Sequence, residues 1–197
     1  MQYALDNKKR IMNSNHTYQR KSQRLPNYDY SKEGLYFITL CVENGITLFG
    51  DIYNRELKLN IFGKIAKEEW LKTEQIRENI ALHEFIVMPN HFHAIVEILF
   101  NDNESVKSNQ FKSPSQSIGA IVRGYKGATT KKIKEIINNN DCKEMMHFNP
   151  STIDLSKSIW QRNFHDHIIQ NQKAYIKIVE YTENNPFTWK DDKYYIK

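Results

Sequence analysis

The stretch VMPNHFHAIVEI, residues 87–98, constrains this chain more than any other. A strand alternates its side chains between two faces. On that period Phe92, Ala94, Val96 and Ile98 share one face, and His91, His93, Ile95 and Glu97 share the other. The first set is wholly apolar and demands a core. The second opens with two imidazoles side by side, close enough for one divalent metal to meet both. LHEFIVM (82–88) reads as another strand, and only Pro89 and Asn90 stand between the two. That spacing argues a tight hairpin.

The remaining elements fall around this hairpin. YFITLCV (36–42) is rich in aromatic and β-branched residues and reads as a strand, with turns at ENG and FGD after it. Ile61, Phe62, Ile65, Ala66 and Trp70 recur at helical spacing, which predicts an amphipathic helix over about 60–73. Residues 101–116 are polar and unpatterned. Ser117 then suits the N-cap of a helix running to 138, with Ile118, Ile121, Val122, Tyr125, Ile133 and Ile136 along one side. A polar insertion covers 137–157. SIWQRNFHDHII (158–169) reads as a fourth strand, and Tyr175, Ile178, Val179 and Thr182 line a last helix that Pro186 ends. The order is β-α-β-β-α-β with one extra C-terminal helix: an α+β, ferredoxin-like antiparallel sheet. Such a sheet buries one face under its helices, so the histidine face is expected to stay open.

Charge and cysteine content narrow the class. The 197 residues carry a net charge of +5, and the basic residues are clustered. Lys8, Lys9, Arg10, Arg20, Lys21 and Arg24 crowd a basic arm over residues 1–30. Arg123, Lys126, Lys131, Lys132 and Lys134 crowd the 117–138 helix. Such clusters are the footprint of phosphate binding, although a solvated tail and helix face would look the same. Two cysteines, Cys41 and Cys142, form neither a disulfide framework nor a zinc spacing. No apolar run approaches the roughly 20 residues that span a bilayer. The N-terminus lacks a hydrophobic signal segment. A reduced, cytoplasmic protein with no membrane partner is expected.

Two histidines hold a metal without saturating it, so a third ligand must come from elsewhere. His-x-His on a strand also occurs as a packed or surface pair. His165 and His167 form a rival pair with Asp166 between them, and His167 can instead line the site or contact phosphate. No Gly-rich phosphate loop or Gly-x-Ser-x-Gly elbow is present. Tyr181 and Asn185 lie four apart on the last helix, beside its apolar stripe. A tyrosine beside an amide oxygen suits a phosphotyrosine mechanism, although both residues also suit simple packing.

Together MPNHFHAIVE, the YTENNP stretch and their order resemble one family. MPNHFHAIVE resembles the HUH (His-hydrophobic-His) motif of single-tyrosine HUH nucleases, specifically of the REP-associated tyrosine transposases. YDYSKEGLYFITLCVEN, LFGDI, SIGAIVRGYKGATTKKI and IWQRNFHDHIIQNQKAYIKIVEYTENNP are similar to stretches of that family in its order. The resemblance implies a single HUH nuclease domain over 31–190, with insertions at about 101–116 and 137–157 and a tail at 191–197. It makes His91 and His93 ligands of Mg2+ or Mn2+ and Tyr181 the nucleophile. Asn185 falls where many relatives carry a glutamine that completes the metal site. Arg123, Lys126, Lys131, Lys132, Arg162 and His167 are the residues expected to contact DNA. The implied activity cleaves and rejoins single-stranded or hairpin DNA through a 5′-phosphotyrosine, by a monomer or homodimer. The alternative is a non-catalytic or domesticated nucleic-acid-binding protein of the same fold.

Overall fold

A computed structural model describes residues 28–101, 116–139 and 156–196. The basic arm through residue 27, with Lys8 to Arg24, therefore lies outside the described residues, as do 102–115 and 140–155 of the polar insertions. Four strands build the main sheet: β1 (Gly34–Cys41), β4 (Ile80–Val87), β5 (His91–Ile98) and β6 (His165–Ile169), in the order β4-β5-β1-β6. Every neighbouring pair is antiparallel. With α1 (Ile61–Ile76) and α2 (Ile118–Asn138) as connections, this is the expected ferredoxin-like arrangement. The extra helix α3 (Gln172–Asn184) ends one residue short of Asn185, two before Pro186.

The register makes the two faces of β5 explicit. Tyr36 pairs with Val96, Ile38 with Ala94 and Leu40 with Phe92, and all six side chains belong to the core. The α1 and α2 helices close that face. Trp70 meets Phe92 edge-on at 5.0 Å between centroids, and Tyr125 lies 5.1 Å from Phe92. Tyr125, buried, donates its hydroxyl to the Ala66 carbonyl at 3.1 Å, which ties α2 to α1. Helix starts follow the capping logic of the sequence. Asn60 Oδ1 accepts from Gly63 N at 3.0 Å, and Ser117 Oγ accepts from Ala120 N at 3.3 Å.

Two local expectations differ from the structure. Gly50 in FGD begins a strand rather than closing a turn. A small ribbon of β2 (Gly50–Tyr53) and β3 (Glu56–Leu59) occupies this region. Its two-residue turn holds Asn54 at φ 51° and Arg55 at φ 66°. A tight hairpin of matching twist needs positive φ at both positions, and the usual Asn-Gly signal is absent here. The 158–169 strand is shorter than expected. Trp160 makes one bridge to Val42, and regular pairing begins only at His165. Trp160 is buried and donates to Thr129 Oγ1 at 2.8 Å, so this segment is committed to the helix layer before it can enter the sheet.

Two glycines separate packing from propensity. A Cβ on Gly63 would collide with the Phe49 carbonyl, where α1 presses against the loop before β2, whereas one on Gly127 in α2 meets open space. Gly127→Ala should stabilise the protein by about 0.5–1 kcal/mol, the ordinary helix gain. Gly63→Ala should instead cost about 1–3 kcal/mol through overpacking. Urea midpoints of the two variants against the parent measure both signs.

Candidate functional site

The register carries the second face directly. Thr39 pairs with His93 on one side and His165 on the other, Phe37 with Ile95 and His167, and Cys41 with His91. One face of the sheet therefore presents His91, His93, His165 and His167 together. It is not open over the first two. His91 is 0% and His93 1% exposed, which corrects the expectation that both look out to solvent. The roof comes from the C-terminal segment: Trp189 lies 5.8 Å and Tyr194 4.6 Å from the His91 ring, and Tyr181 5.3 Å from the His93 ring.

A neighbouring amide assigns the His91 tautomer. His91 Nδ1 is 2.9 Å from Asn90 Oδ1, a pure acceptor, so Nδ1 carries the proton. Nε2 is then a lone pair, buried and without a hydrogen-bond partner. His93 Nδ1 is 2.8 Å from Thr39 Oγ1, and its Nε2 is 3.2 Å from the Tyr181 hydroxyl. Asn185 is fully buried; its Nδ2 donates to Asp192 Oδ2 at 2.8 Å, and its Oδ1 is a second buried acceptor without a partner. Asp192 Oδ1 accepts from the Tyr194 amide at 2.7 Å. Ligand atoms of His91, His93 and Asp192 all lie within 4.8 Å of one another, a trio that could hold a metal.

Buried acceptors left without donors are costly unless something positive completes them. The His91 lone pair and the Asn185 carbonyl oxygen are such acceptors, and with His93 and the half-buried Asp192 carboxylate nearby they are nitrogen and oxygen donors of the kinds a divalent cation takes. The residues thus fit a metal. Asp192 is the member that sequence reasoning missed. It lies in WKDDKYY, where the only signal is a carboxylate pair six and seven residues beyond Asn185, in a segment expected to be a tail. The rival pair His165 and His167 is exposed and forms no such group among the described residues.

Electrostatics point the same way. Burial pushes the His91 pKa down to about 4, against the opposing pull of Asp192 and Asn185. Burial, with His91 next, also lowers His93 well below its ordinary value. Both rings are therefore neutral at pH 7. Tyr181, 41% exposed, is pushed up to about 12, first by burial and then by the Asp192 charge. Its hydroxyl is 3.2 Å from His93 Nε2 and donates to Asp192 Oδ2 at 3.4 Å.

The other expected DNA contacts are spread out. His167 shares the site face, and Arg162 is exposed in the segment before β6. Arg123, Lys126, Lys131 and Lys132 lie on α2, across the sheet from His91 and His93, so the structure does not bring them to the histidines. Lys132 pairs with Glu69 of α1, and Lys131 lies 4.0 Å from Glu135. Lys126 donates to the Gln161 and Asn163 carbonyls at 2.7 and 3.0 Å, and burial lowers its pKa to about 8.

Depressed histidines set an acid limit on stability. The unfolded chain takes up a proton near pH 6.5 whereas folded His91 resists to about 4, so stability is full above 6.5 and falls as the pH drops through that window. His91 alone should remove about 2 kcal/mol between pH 7 and pH 5 in metal-free protein. Denaturation in EDTA at both pH values checks this, and His91→Gln should flatten the slope. Millimolar Mn2+ should raise the melting temperature of the parent at pH 7 and leave that of His91→Gln unchanged.

No family model matches the chain. An uncharacterized protein of Haemophilus influenzae is 36% identical over 185 residues, spanning 90% of this chain and 93% of that protein. Among solved structures, a REP-associated tyrosine transposase bound to a REP hairpin matches 84% of this chain and 74% of its own, at 19% identity and a TM-score of 0.51. The chain belongs to one family with the Haemophilus influenzae protein, and its fold is that of the REP-associated tyrosine transposase.

Proposed function

We propose that this protein is a metal-dependent endonuclease and strand-transfer enzyme, a transposase in type, acting on single-stranded or hairpin DNA. The observation that carries the proposal is the Tyr181 hydroxyl, 3.2 Å from His93 Nε2 and beside the unpartnered acceptors of His91 and Asn185. A structural tyrosine has no need of a metal-type donor cluster at its oxygen. The complex of the similarly folded transposase with a REP hairpin supports hairpin DNA as the substrate class.

His91, His93 and Asp192 would hold a Mg2+ or Mn2+ ion, with the Asn185 carbonyl oxygen as a further ligand. The cation supplies a Lewis acid for the charge on the phosphate oxygens and favours the phenolate. Tyr181 gives up its proton, and Asp192 Oδ2, at 3.4 Å, is positioned to receive it. The phenolate oxygen then bonds to phosphorus as the bond from phosphorus to the 3′ oxygen breaks. The 3′ oxygen takes a proton from solvent, balancing the one Tyr181 released, and the 5′ phosphate stays on Tyr181. Reversal by a 3′-hydroxyl rejoins a strand with no external energy source. Asn90 keeps the His91 imidazole in the tautomer whose Nε2 lone pair faces the site, and Thr39 holds the orientation of the His93 ring.

A second reading, binding without cleavage, is favoured by the burial of both histidines beneath Trp189 and Tyr194. One experiment separates the two. Incubation with end-labelled hairpin DNA and Mn2+ should yield a protein–DNA adduct on a denaturing gel, mapped by mass spectrometry to the peptide carrying Tyr181. Tyr181→Phe should abolish the adduct while shifting the melting temperature by no more than a few degrees. Binding with no strand scission supports the second reading. Cleavage with no adduct overturns the covalent mechanism.

A further inference from the structure

Beside the histidines lies a cleft of about 340 Å³ whose lining includes Cys41, Asn44, Gln161, His165, Lys193 and Tyr194. Tyr194 is a shared wall, its ring 4.6 Å from that of His91 and 6.5 Å from that of His165. The opposite wall is built rather than incidental. Lys126 crosses from α2 to hold the Gln161 and Asn163 carbonyls, and Gln161 N donates to the Cys41 carbonyl at 2.9 Å. Asn90 fastens the third side by donating to the Gly45 and Tyr194 carbonyls at 3.2 and 2.7 Å.

Position gives the cleft its meaning. Tyr181 packs against Phe37, with ring centroids 6.2 Å apart, whereas the cleft opens at Cys41, four residues along the same strand. That separation is roughly 13 Å, with Thr39 and His93 between. In-line displacement at phosphorus puts nucleophile and leaving oxygen on opposite sides. With Tyr181 on one side of the histidines, the leaving 3′ oxygen departs toward the other. We propose that this cleft is the subsite for the nucleotide whose 3′ oxygen leaves, a deepening that rests on the nuclease reading above. Lys193 and His165 supply cationic and imidazole donors for that nucleotide's own 5′ phosphate. The Asn44 and Gln161 amides can meet the edge of a base, and the exposed His165 ring offers a flat surface to its face. The volume suits one nucleotide and excludes a duplex.

The test has two arms. In the first, each of the four deoxynucleoside 5′-monophosphates, which are the free 3′-hydroxyl fragment in miniature, is titrated into the intact protein while the His165 ring signals are followed by NMR. At least one should shift them saturably at millimolar concentration, with affinity at least tenfold weaker in Lys193→Ala. No saturable shift overturns the subsite, and so does a shift of the same size and affinity with inorganic phosphate alone. In the second arm, a hairpin substrate carries a single abasic site at successive positions around the cleaved bond. The abasic site next to the leaving 3′ oxygen should lower kcat/KM about tenfold in the parent and add little in Gln161→Ala. Adduct formation with a flat abasic profile overturns the cleft and leaves the nuclease reading standing. If no adduct forms on any substrate, the nuclease reading fails, and the monophosphate titration alone decides the cleft.

Discussion

The site hangs on one side chain that the sequence presents as punctuation. Asn90, in the turn between β4 and β5, is buried with its carbonyl and both ends of its side-chain amide engaged. Its carbonyl accepts from Val42 N at 2.9 Å, its Oδ1 meets His91 Nδ1, and its Nδ2 bridges the carbonyls of Gly45 and Tyr194. The end of β1, the turn after it, the first histidine and the C-terminal segment are thereby fixed to one amide. Hydrogen bonds around a ligand set decide which nitrogen faces the metal. Here the same residue also anchors the chain that brings Asp192 to the site. Replacing an amide so fully used would leave several buried groups unsatisfied at once, which costs far more than one hydrogen bond.

Most of the fold was legible because it follows from period and punctuation. The two-residue alternation of 91–98 separated core from site correctly, and the stripe through Ile118, Ile121, Val122 and Tyr125 is the one that packs. Tyr125 was expected to point inward, and it does. What escaped was set by contacts distant in sequence. The ribbon at 50–59 uses Asn-Arg where Asn-Gly would have signalled a turn, and the start of the 158–169 segment is claimed by Thr129 and the core. Asp192 and Tyr194 could not be foreseen from local pattern. A carboxylate becomes a ligand only when the chain returns to the histidines, and the sign of that return is an amide 104 residues away from Tyr194. The open face was misjudged for the same reason: the C-terminal segment covers it.

Burial and charge act against each other at the centre. Removing water from His91 and His93 makes them neutral donors, while the same low-dielectric setting with Asp192 nearby raises the Tyr181 pKa to about 12. A phenol in that state is a poor nucleophile. Opposite shifts in neighbouring groups are resolved by a single added positive charge, which suits the lone pairs and the phenolate together.

Helix α3 carries Tyr181, yet Thr182 is its only buried side chain. It is held by half-buried contacts: Tyr175 to His83 at 3.2 Å, Tyr181 to His93, Asp192 and the Phe37 ring, and Asn185 to Asp192 through its C-cap. The sheet and its two covering helices, by contrast, share one continuous apolar core. Segments with few buried contacts open at lower free energy than the whole domain. Tyr181 thus sits on the least buried of the three helices. Opening this helix disturbs fewer buried side chains than opening the histidine strand, so the contacts around Tyr181 are held by a smaller share of the fold than the histidines are.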